Sequence, residues 1–239
     1  MHVRIWGASR SGSTIFENFL SSTMGILALG EIKNIISRGV KKNELCSCGQ
    51  SFSECVFWRS KHHLIDGSST NNLYNSFESF IDSSKLPTYY FKNGRNKADL
   101  NFFIVRDLSD VMKSYRKNVK RTESSEIDSF MRKRSHFFTF FYYFCVNIFC
   151  IVLIPKKNSY LILYNDFVRW NEGIIVNKAL SHQISGNPSR LQGLQVIKNH
   201  SNSKSKYSIT EKTFKSLSKL MMLRQVNSNE ELLDILSKR

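Results

Sequence analysis

The residues with the clearest chemical potential form a glycine-bearing stretch near the start of the chain. Gly7 is followed after four residues by Gly12, and Ser13 and Thr14 come next. This is the spacing of the phosphate-binding pattern G-x-x-x-x-G-K-[ST], except that Ser13 stands where the pattern has lysine. Because that lysine reaches the β and γ phosphates of a nucleoside triphosphate, the loop is poorly equipped for γ-phosphoryl transfer.

Other properties of this stretch still favour an anion. The backbone amides of such a loop and the N-terminus of the helix after it attract phosphate groups. Arg10, which lies between the two glycines, supplies a forked guanidinium that binds phosphate oxygens bidentately without a metal ion. The sequence therefore predicts a site for a nucleotide with a 5′ phosphate group and does not require that nucleotide to be ATP.

The elements that must position this loop follow from the hydrophobic pattern. Residues 3–6 alternate as a short strand does, and apolar residues recur at helical spacing from Thr14 onwards. Further strands are predicted at 77–82, 101–105 and 159–164. Strands that alternate with helices favour an α/β fold with a mainly parallel sheet.

Polar residues follow these predicted strands. Lys85 closes an Asp-Ser-Ser-Lys stretch after the second strand, and Arg106 directly follows the third. Ser114 stands in the next helix, which Ser109 is expected to cap. Because ligands of an open parallel sheet collect at the carboxyl ends of its strands, we expect these groups near the first loop, where Arg106 and Ser114 can reach a second phosphate.

Taken together, these motifs resemble those of the sulfotransferases that use PAPS, 3′-phosphoadenosine 5′-phosphosulfate. In chain order the matching stretches are RSGST at 10–14, GE at 30–31, CSCGQSFSECVFW at 46–58, DSSK at 82–85, RD at 106–107, YNDF at 164–167 and GNPSR at 186–190. Each motif alone is weak, but their common order over most of the chain is specific.

The resemblance implies a P-loop-like three-layer sandwich, in which helices flank a mainly parallel central sheet, and a single sulfotransferase-like domain over residues 1–239. It implies PAPS as the donor cosubstrate, with no Mg²⁺ and no other metal. It also implies which loop residues bind the 5′-phosphosulfate, namely Arg10, Ser11, Gly12, Ser13 and Thr14.

The same resemblance assigns the remaining site residues. Arg106 and Ser114 are expected to bind the 3′-phosphate, and Arg190 is expected to belong to the nucleotide site. Glu31 looks like the general base of tyrosyl-protein and carbohydrate sulfotransferases, and Lys85 like the group that stabilises the leaving phosphate. The implied reaction is in-line transfer of a sulfuryl group to the hydroxyl of a sugar, a lipid or a small metabolite.

Three alternatives stay open. The first is a PAPS-type nucleotide binder without turnover, because Asn165 replaces the usual acid of its motif and residues 200–206 lack the usual aspartate and tryptophan. The second is a P-loop kinase with Asp82 as its magnesium ligand, which Ser13 disfavours. The third is a basic protein that binds membranes or nucleic acid.

Composition limits these classes. The 239 residues are 41% hydrophobic and 23% charged, as in ordinary globular proteins. The net charge of +16 indicates polyanionic partners. We expect the nucleotide to be that partner and do not expect nucleic acid, while peripheral contact with a membrane remains an alternative.

An uncharged apolar segment at 137–154 bears on that alternative. It is long enough to span a bilayer, but Asn147 lies in its middle and basic residues flank both ends. We interpret it as a buried core helix that runs into a strand. Because Met1 is followed at once by the first strand, we expect no signal peptide and a cytoplasmic location.

Cysteines are the last candidate ligands. Five cysteines without a secretory signal predict reduced thiols. Cys46, Cys48 and Cys55 have a spacing unusual for zinc, so we favour a buried structural loop and keep a zinc site as the alternative.

Overall fold

The computed structural model describes residues 1–30, 54, 59, 77–85, 98–118, 136–177, 194–196 and 209–238. Within these residues the strands are β1 His2–Trp6, β2 Leu27–Ala28, β3 Phe80–Lys85, β4 Leu100–Val105, β5 Ser159–Leu163, β6 Ile175–Asn177, β7 Leu194–Val196 and β8 Arg224–Gln225. The helices are α1 Ser13–Met24, α2 Leu108–Asn118, α3 His136–Leu153, α4 Tyr164–Trp170, α5 Ile209–Leu220 and α6 Asn229–Ser237.

Six strands form one sheet in the order β2-β3-β1-β4-β5-β8, and each neighbouring pair in it is parallel. β1 lies in the middle, where Val3 is opposite Ile81 of β3 on one side and Leu100 of β4 on the other. β6 and β7 form a separate antiparallel pair, and β6 lies against α1. The loop after β1 therefore leaves the centre of the main sheet.

Helices cover both faces of this sheet. Phe102 and Ile104 of β4 point into a core that α1, α4 and α6 complete. Phe103 and Val105 alternate with them and pack on the other face, under α2, α3 and α5. β1 and β4 are buried at every position, as expected for the central strands of a parallel sheet between two helical layers. The predicted α/β three-layer sandwich is confirmed.

An aromatic cluster fixes α1, the helix after the loop, on the sheet. The ring of Phe16 meets the rings of Phe102 and Phe167 edge to face, at centroid distances of 5.2 and 5.1 Å. All three side chains are fully buried. Truncating one of them to alanine is expected to cost about 3–5 kcal/mol of folding free energy. These contacts fix the position of the start of α1 relative to the sheet. They thereby also fix the end of the loop.

The structure differs from the prediction in the bounds of β3 and in the residue that caps α2. β3 begins later than the strand predicted at 77–82 and continues through Lys85, because its serines are buried and bonded: Ser83 N donates to Gly30 O at 3.0 Å. α2 begins at Leu108, and the Asp107 carboxylate accepts from Ser109 N at 2.8 Å. Asp107, not Ser109, therefore caps this helix.

The apolar segment at 137–154 forms the predicted helix, α3, but only one face of it is buried, and no strand begins within the segment. α3 ends at Leu153, and β5 begins only at Ser159. One face of α3 is buried, with Asn147 at 0% exposure, whereas Phe149 on the other face is 60% exposed. In the parts of the chain that the structure describes, no helix has the length and apolarity to cross a membrane.

Candidate anion-binding site

The loop from β1 to α1 has an unusual backbone. Gly7 and Gly12 adopt φ of +143° and +94°, and Arg10 adopts +69° although it carries a side chain. Ser11 N donates to Ala8 O at 3.3 Å across the turn. Positive φ is costly for any residue other than glycine, so Arg10 is held in this conformation by its surroundings.

Both glycines of the loop are required by close packing. A Cβ on Gly7 would lie 2.6 Å from the carbonyl oxygen of Ile104 in β4. A Cβ on Gly12 would overlap the ring of Tyr164, the first residue of α4. The loop therefore presses against the ends of β4 and β5. Sequence analysis noted Tyr164 within a motif but missed its place under the loop.

The end of the loop presents groups that suit an anion. Gly12 is the N-cap of α1, where no side chain forms a capping hydrogen bond and the first turn holds no acidic residue. Ser13 is buried and Thr14 is exposed in this turn. Among the described residues, the buried Ser11 hydroxyl has no hydrogen-bond partner. A buried hydroxyl and a helix N-terminus fit anionic oxygens, which accept hydrogen bonds from both.

Arg106 lies beside this loop, directly after β4. Its guanidinium carbon is 4.6 Å from the centroid of the Tyr164 ring, a cation–π distance. Its Nη1 donates to the carbonyl oxygen of Arg10 at 3.4 Å, and its buried Nε has no partner among the described residues. Burial raises the pKa of Tyr164, although Arg106 acts in the opposite direction. The neutral ring and the loop together orient the guanidinium.

Ser114 joins the same cluster. It lies in the second turn of α2, and its Oγ accepts a hydrogen bond from Arg10 Nε at 3.1 Å. The predictions assigned Arg10 to one phosphate, and Arg106 and Ser114 to another. The structure brings all three residues into one contiguous group, which we call the cation cluster. An anion that binds Arg10 through Nε must share or replace its bond to Ser114.

The buried face of α3 supports both parts of the cluster. Asn147 Oδ1 accepts from Ala8 N at 3.2 Å, inside the loop. The Tyr143 hydroxyl donates to the carbonyl oxygen of Arg106, and burial raises the pKa of this phenol. Sequence analysis missed both roles. The available signal was the lone amide of Asn147 in an uncharged run, because buried polar groups almost always have a hydrogen-bond partner.

Cys150, one helical turn after Asn147, also contacts the loop. Burial raises the pKa of its thiol to about 12, against the smaller effect of a hydrogen bond with the Gly7 backbone. The thiol therefore stays protonated at physiological pH and is a poor nucleophile. Cys150 is a packing residue under the loop, whereas Cys145 is only half-buried.

The buried carboxylate of Glu17 connects backbone segments near the carboxyl ends of β2 and β3. Glu17 of α1 accepts from Gly30 N and from Ser83 Oγ, both at 2.6 Å. It thereby joins the chain after β2 to β3. Glu31 directly follows Gly30 in the sequence, and Lys85 ends β3 at this edge. Sequence analysis missed Glu17, which carries no motif signal.

The remaining predicted residues lie outside the described part of the chain. They are Glu31, Arg190, Cys46, Cys48 and Cys55. Their roles, including the choice between a structural loop and a zinc site, stay predictions. The single-domain assignment over residues 1–239 likewise stays a prediction.

Comparison with known proteins gives little guidance. No family model matches the chain, and no curated protein matches it. One solved structure with some likeness is described as a "Sulfotransferase Domain from the Curacin Biosynthetic Pathway". It shares 14% identity at a TM-score of 0.44, over 99% of this chain and 96% of that one. At this similarity the match carries no argument, and any function must be argued from the chain's own residues.

Proposed function

We propose that the chain is a sulfotransferase that moves a sulfuryl group from PAPS to a hydroxyl acceptor. The observation that carries the proposal is the cation cluster beside a phosphate loop in which Ser13 replaces lysine. Arg10 and Arg106 are within hydrogen-bond contact of each other, at 3.4 Å from Nη1 to O. Two guanidinium groups at one loop suit a ligand with two anionic groups on one ribose, as PAPS has.

The residues divide between the two ends of such a donor. The amides at the start of α1, the Ser11 hydroxyl, which has no partner in the described part of the chain, and Arg10 suit the 5′-phosphosulfate. Arg106 and Ser114, farther along the edge toward α2, suit the 3′-phosphate. A kinase needs a lysine on the β and γ phosphates, and Ser13 does not supply one.

The proposed reaction forms a bond from the acceptor oxygen to sulfur and breaks the bond from sulfur to the phosphate oxygen. Glu31 takes the proton of the acceptor hydroxyl. Negative charge develops on the departing phosphate, where Arg10, Lys85 and the loop amides stabilise it. Glu31 follows Gly30, which Glu17 and Ser83 fix beside β3, and this supports its proposed role.

Titration calorimetry with 3′-phosphoadenosine 5′-phosphate and with AMP tests the donor site. We expect the wild type to prefer the 3′-phosphorylated nucleotide. Arg106→Ala should lower affinity for that nucleotide about 10–100-fold, because it removes charge-assisted hydrogen bonds, and leave AMP binding unchanged. Arg224→Ala is the matched control, since its guanidinium pairs with Glu231 on the surface, at 2.8 Å and away from the loop.

Equal affinity for the two nucleotides in the wild type would overturn the proposed donor. A second assay separates an enzyme from a nucleotide binder without turnover. Transfer of labelled sulfate from PAPS to a panel of sugar, lipid and phenolic hydroxyls should be measurable in the wild type. Glu31→Gln should abolish this transfer while it retains affinity for the nucleotide. If Glu31→Gln keeps full activity, another group is the base.

A further inference from the structure

The outward face of α3 carries a continuous row of exposed apolar side chains. This apolar stripe consists of Phe138, Phe141, Ile148, Phe149 and Val152. Their spacing places them within about 100° of one another around the helix axis. Phe141 and Phe149 are 59% and 60% exposed, although each could bury a large apolar area. Such contiguous exposed apolar surface is typical of an interaction site.

The opposite face of the same helix packs against the rest of the protein, except at Phe140 near the start of the helix, which is 45% exposed. Tyr143, Asn147 and Cys150 are buried there and contact the loop and Arg106. A surface helix normally turns charged and polar residues outward. α3 has no Asp, Glu, Lys or Arg in its 18 positions, so its outward face presents apolar side chains where a surface helix usually presents polar ones.

Charge at the end of the helix indicates the kind of partner. Lys156 and Lys157 are exposed just after α3. In the sequence, residues 129–165 contain no aspartate or glutamate, and the whole chain has a net charge of +16. Aromatic and aliphatic side chains next to lysines match the boundary of an anionic bilayer, where acyl chains lie beneath phosphate groups.

We propose that the apolar stripe of α3 is a peripheral binding surface for membranes that contain anionic phospholipids. The helix, about 27 Å long, lies in the plane of the interface with its stripe inserted to the level of the headgroups and first acyl carbons. Lys156 and Lys157 contact lipid phosphates at its end. The cation cluster then lies about one helix diameter, roughly 10 Å, from the lipid surface.

Flotation of the purified full chain with vesicles tests this surface without donor or acceptor, so its result is independent of the proposed activity. We expect binding to vesicles of phosphatidylcholine with phosphatidylserine, and much weaker binding to phosphatidylcholine alone. The double variant Phe141→Ser/Phe149→Ser should bind about tenfold more weakly or worse. Lys156→Glu/Lys157→Glu should remove most of the dependence on phosphatidylserine and on salt.

A matched control removes apolar surface from the opposite layer of the fold. Ile174 and Leu233 are 38% and 39% exposed, after α4 and on α6. Ile174→Ser/Leu233→Ser should bind vesicles like the wild type. Thermal melts and nucleotide titration identify any variant that fails to fold. If Phe141→Ser/Phe149→Ser does not fold, Lys156→Glu/Lys157→Glu still tests the proposal, because these exposed lysines lie outside the helix.

Two results would overturn the proposal. The first is no vesicle binding by the wild type, or equal binding by the wild type and the folded phenylalanine and lysine variants. The second is a dimer in analytical ultracentrifugation that Phe141→Ser/Phe149→Ser dissociates while vesicles leave the dimer intact. In that case the stripe is covered by a second copy of the chain.

Discussion

At the carboxyl end of the sheet, the buried polar groups beside β1 and β4 differ in their hydrogen bonding from those beside β2 and β3. On the β1–β4 side, Ser11 Oγ and Arg106 Nε are buried without a partner among the described residues. On the β2–β3 side, both carboxylate oxygens of Glu17 accept hydrogen bonds at 2.6 Å from Gly30 and Ser83. Unused donors suit recognition of a ligand, whereas satisfied acceptors hold backbone segments in place. We therefore expect variants on the first side to lose nucleotide binding, and variants on the second to lose transfer.

The largest effect is expected from Gly12→Ala on the binding side. The new Cβ would overlap Tyr164 at a φ of +94°, so we expect a loss of about 3 kcal/mol or more in unfolding free energy, and no nucleotide binding. The control is Gly25→Ala, where φ is +66° and nothing lies within 4 Å. It should cost only about 1–2 kcal/mol and keep binding. Urea unfolding and calorimetry measure both, and equal effects of the two changes would contradict the close packing at Gly12.

Glu17→Ala tests the β2–β3 side, where Glu17 holds Gly30 and Ser83 in place. Gly30 N and Ser83 Oγ lose their shared acceptor, so we expect a loss of about 2–4 kcal/mol in unfolding free energy. The rate of sulfuryl transfer should fall, while affinity for 3′-phosphoadenosine 5′-phosphate changes less than about threefold. Glu17→Gln keeps one acceptor oxygen and should have a smaller effect. If Glu17→Ala weakens nucleotide binding as much as Arg106→Ala does, the two sides are not functionally distinct.

Asn147→Ala tests whether α3 supports nucleotide binding through its hydrogen bond to the loop. Without its bond to Ala8 N, we expect a loss of about 1–3 kcal/mol in unfolding free energy and several-fold weaker nucleotide binding. Asn171→Ala is the control, since Asn171 is equally buried and its Nδ2 donates to Phe167 O at 2.9 Å. It should lose some stability, although Phe167 O keeps its bond from Asn171 N, and bind nucleotide normally. Weakened binding in both variants would point to a general effect of stability.

The smallest effect on nucleotide binding and transfer is expected from His2, which lies at the amino end of β1, away from the loop. Burial, with Arg4 and the N-terminus, lowers the pKa of His2 to about 3. Between about pH 6.5 and 3 the unfolded chain binds the extra proton, so stability falls as pH falls. From pH 7 to pH 5 this amounts to about 2 kcal/mol. His2→Phe should remove that part of the loss in urea unfolding, and a pH dependence identical to that of the wild type would contradict it.

Local patterns were enough to predict the frame of the site. The strand, glycine loop and helix around Gly12, and the apolar strand before Arg106, are contiguous in sequence and carry their own periodicity. The misplacement of β3 has a physical cause. Its Asp82 and two serines look like turn residues but are buried in an interior strand. There the Ser83 hydroxyl donates to Glu17 of α1, and the Asp82 carboxylate accepts from Ser84 N.

The long-range hydrogen bonds that support the site could not be predicted in the same way. Asn147 and the Ala8 amide that it binds are 139 residues apart, and Glu17 and Ser83 are 66 apart. Such pairs exist only after the layers have packed. Apart from its first residue, Thr139 and Asn147, α3 is apolar on every side, so hydropathy alone gave little indication of which face would turn inward.

The contact between Gly12 and Tyr164 has a consequence for how this chain can change over evolutionary time. The aromatic ring occupies the space that any side chain at position 12 would need, and it also lies under the Arg106 guanidinium. A side chain at position 12 would therefore require both a smaller residue at position 164 and a different backbone conformation of the loop. In relatives of this chain, glycine should be retained at position 12 wherever an aromatic ring is retained at position 164.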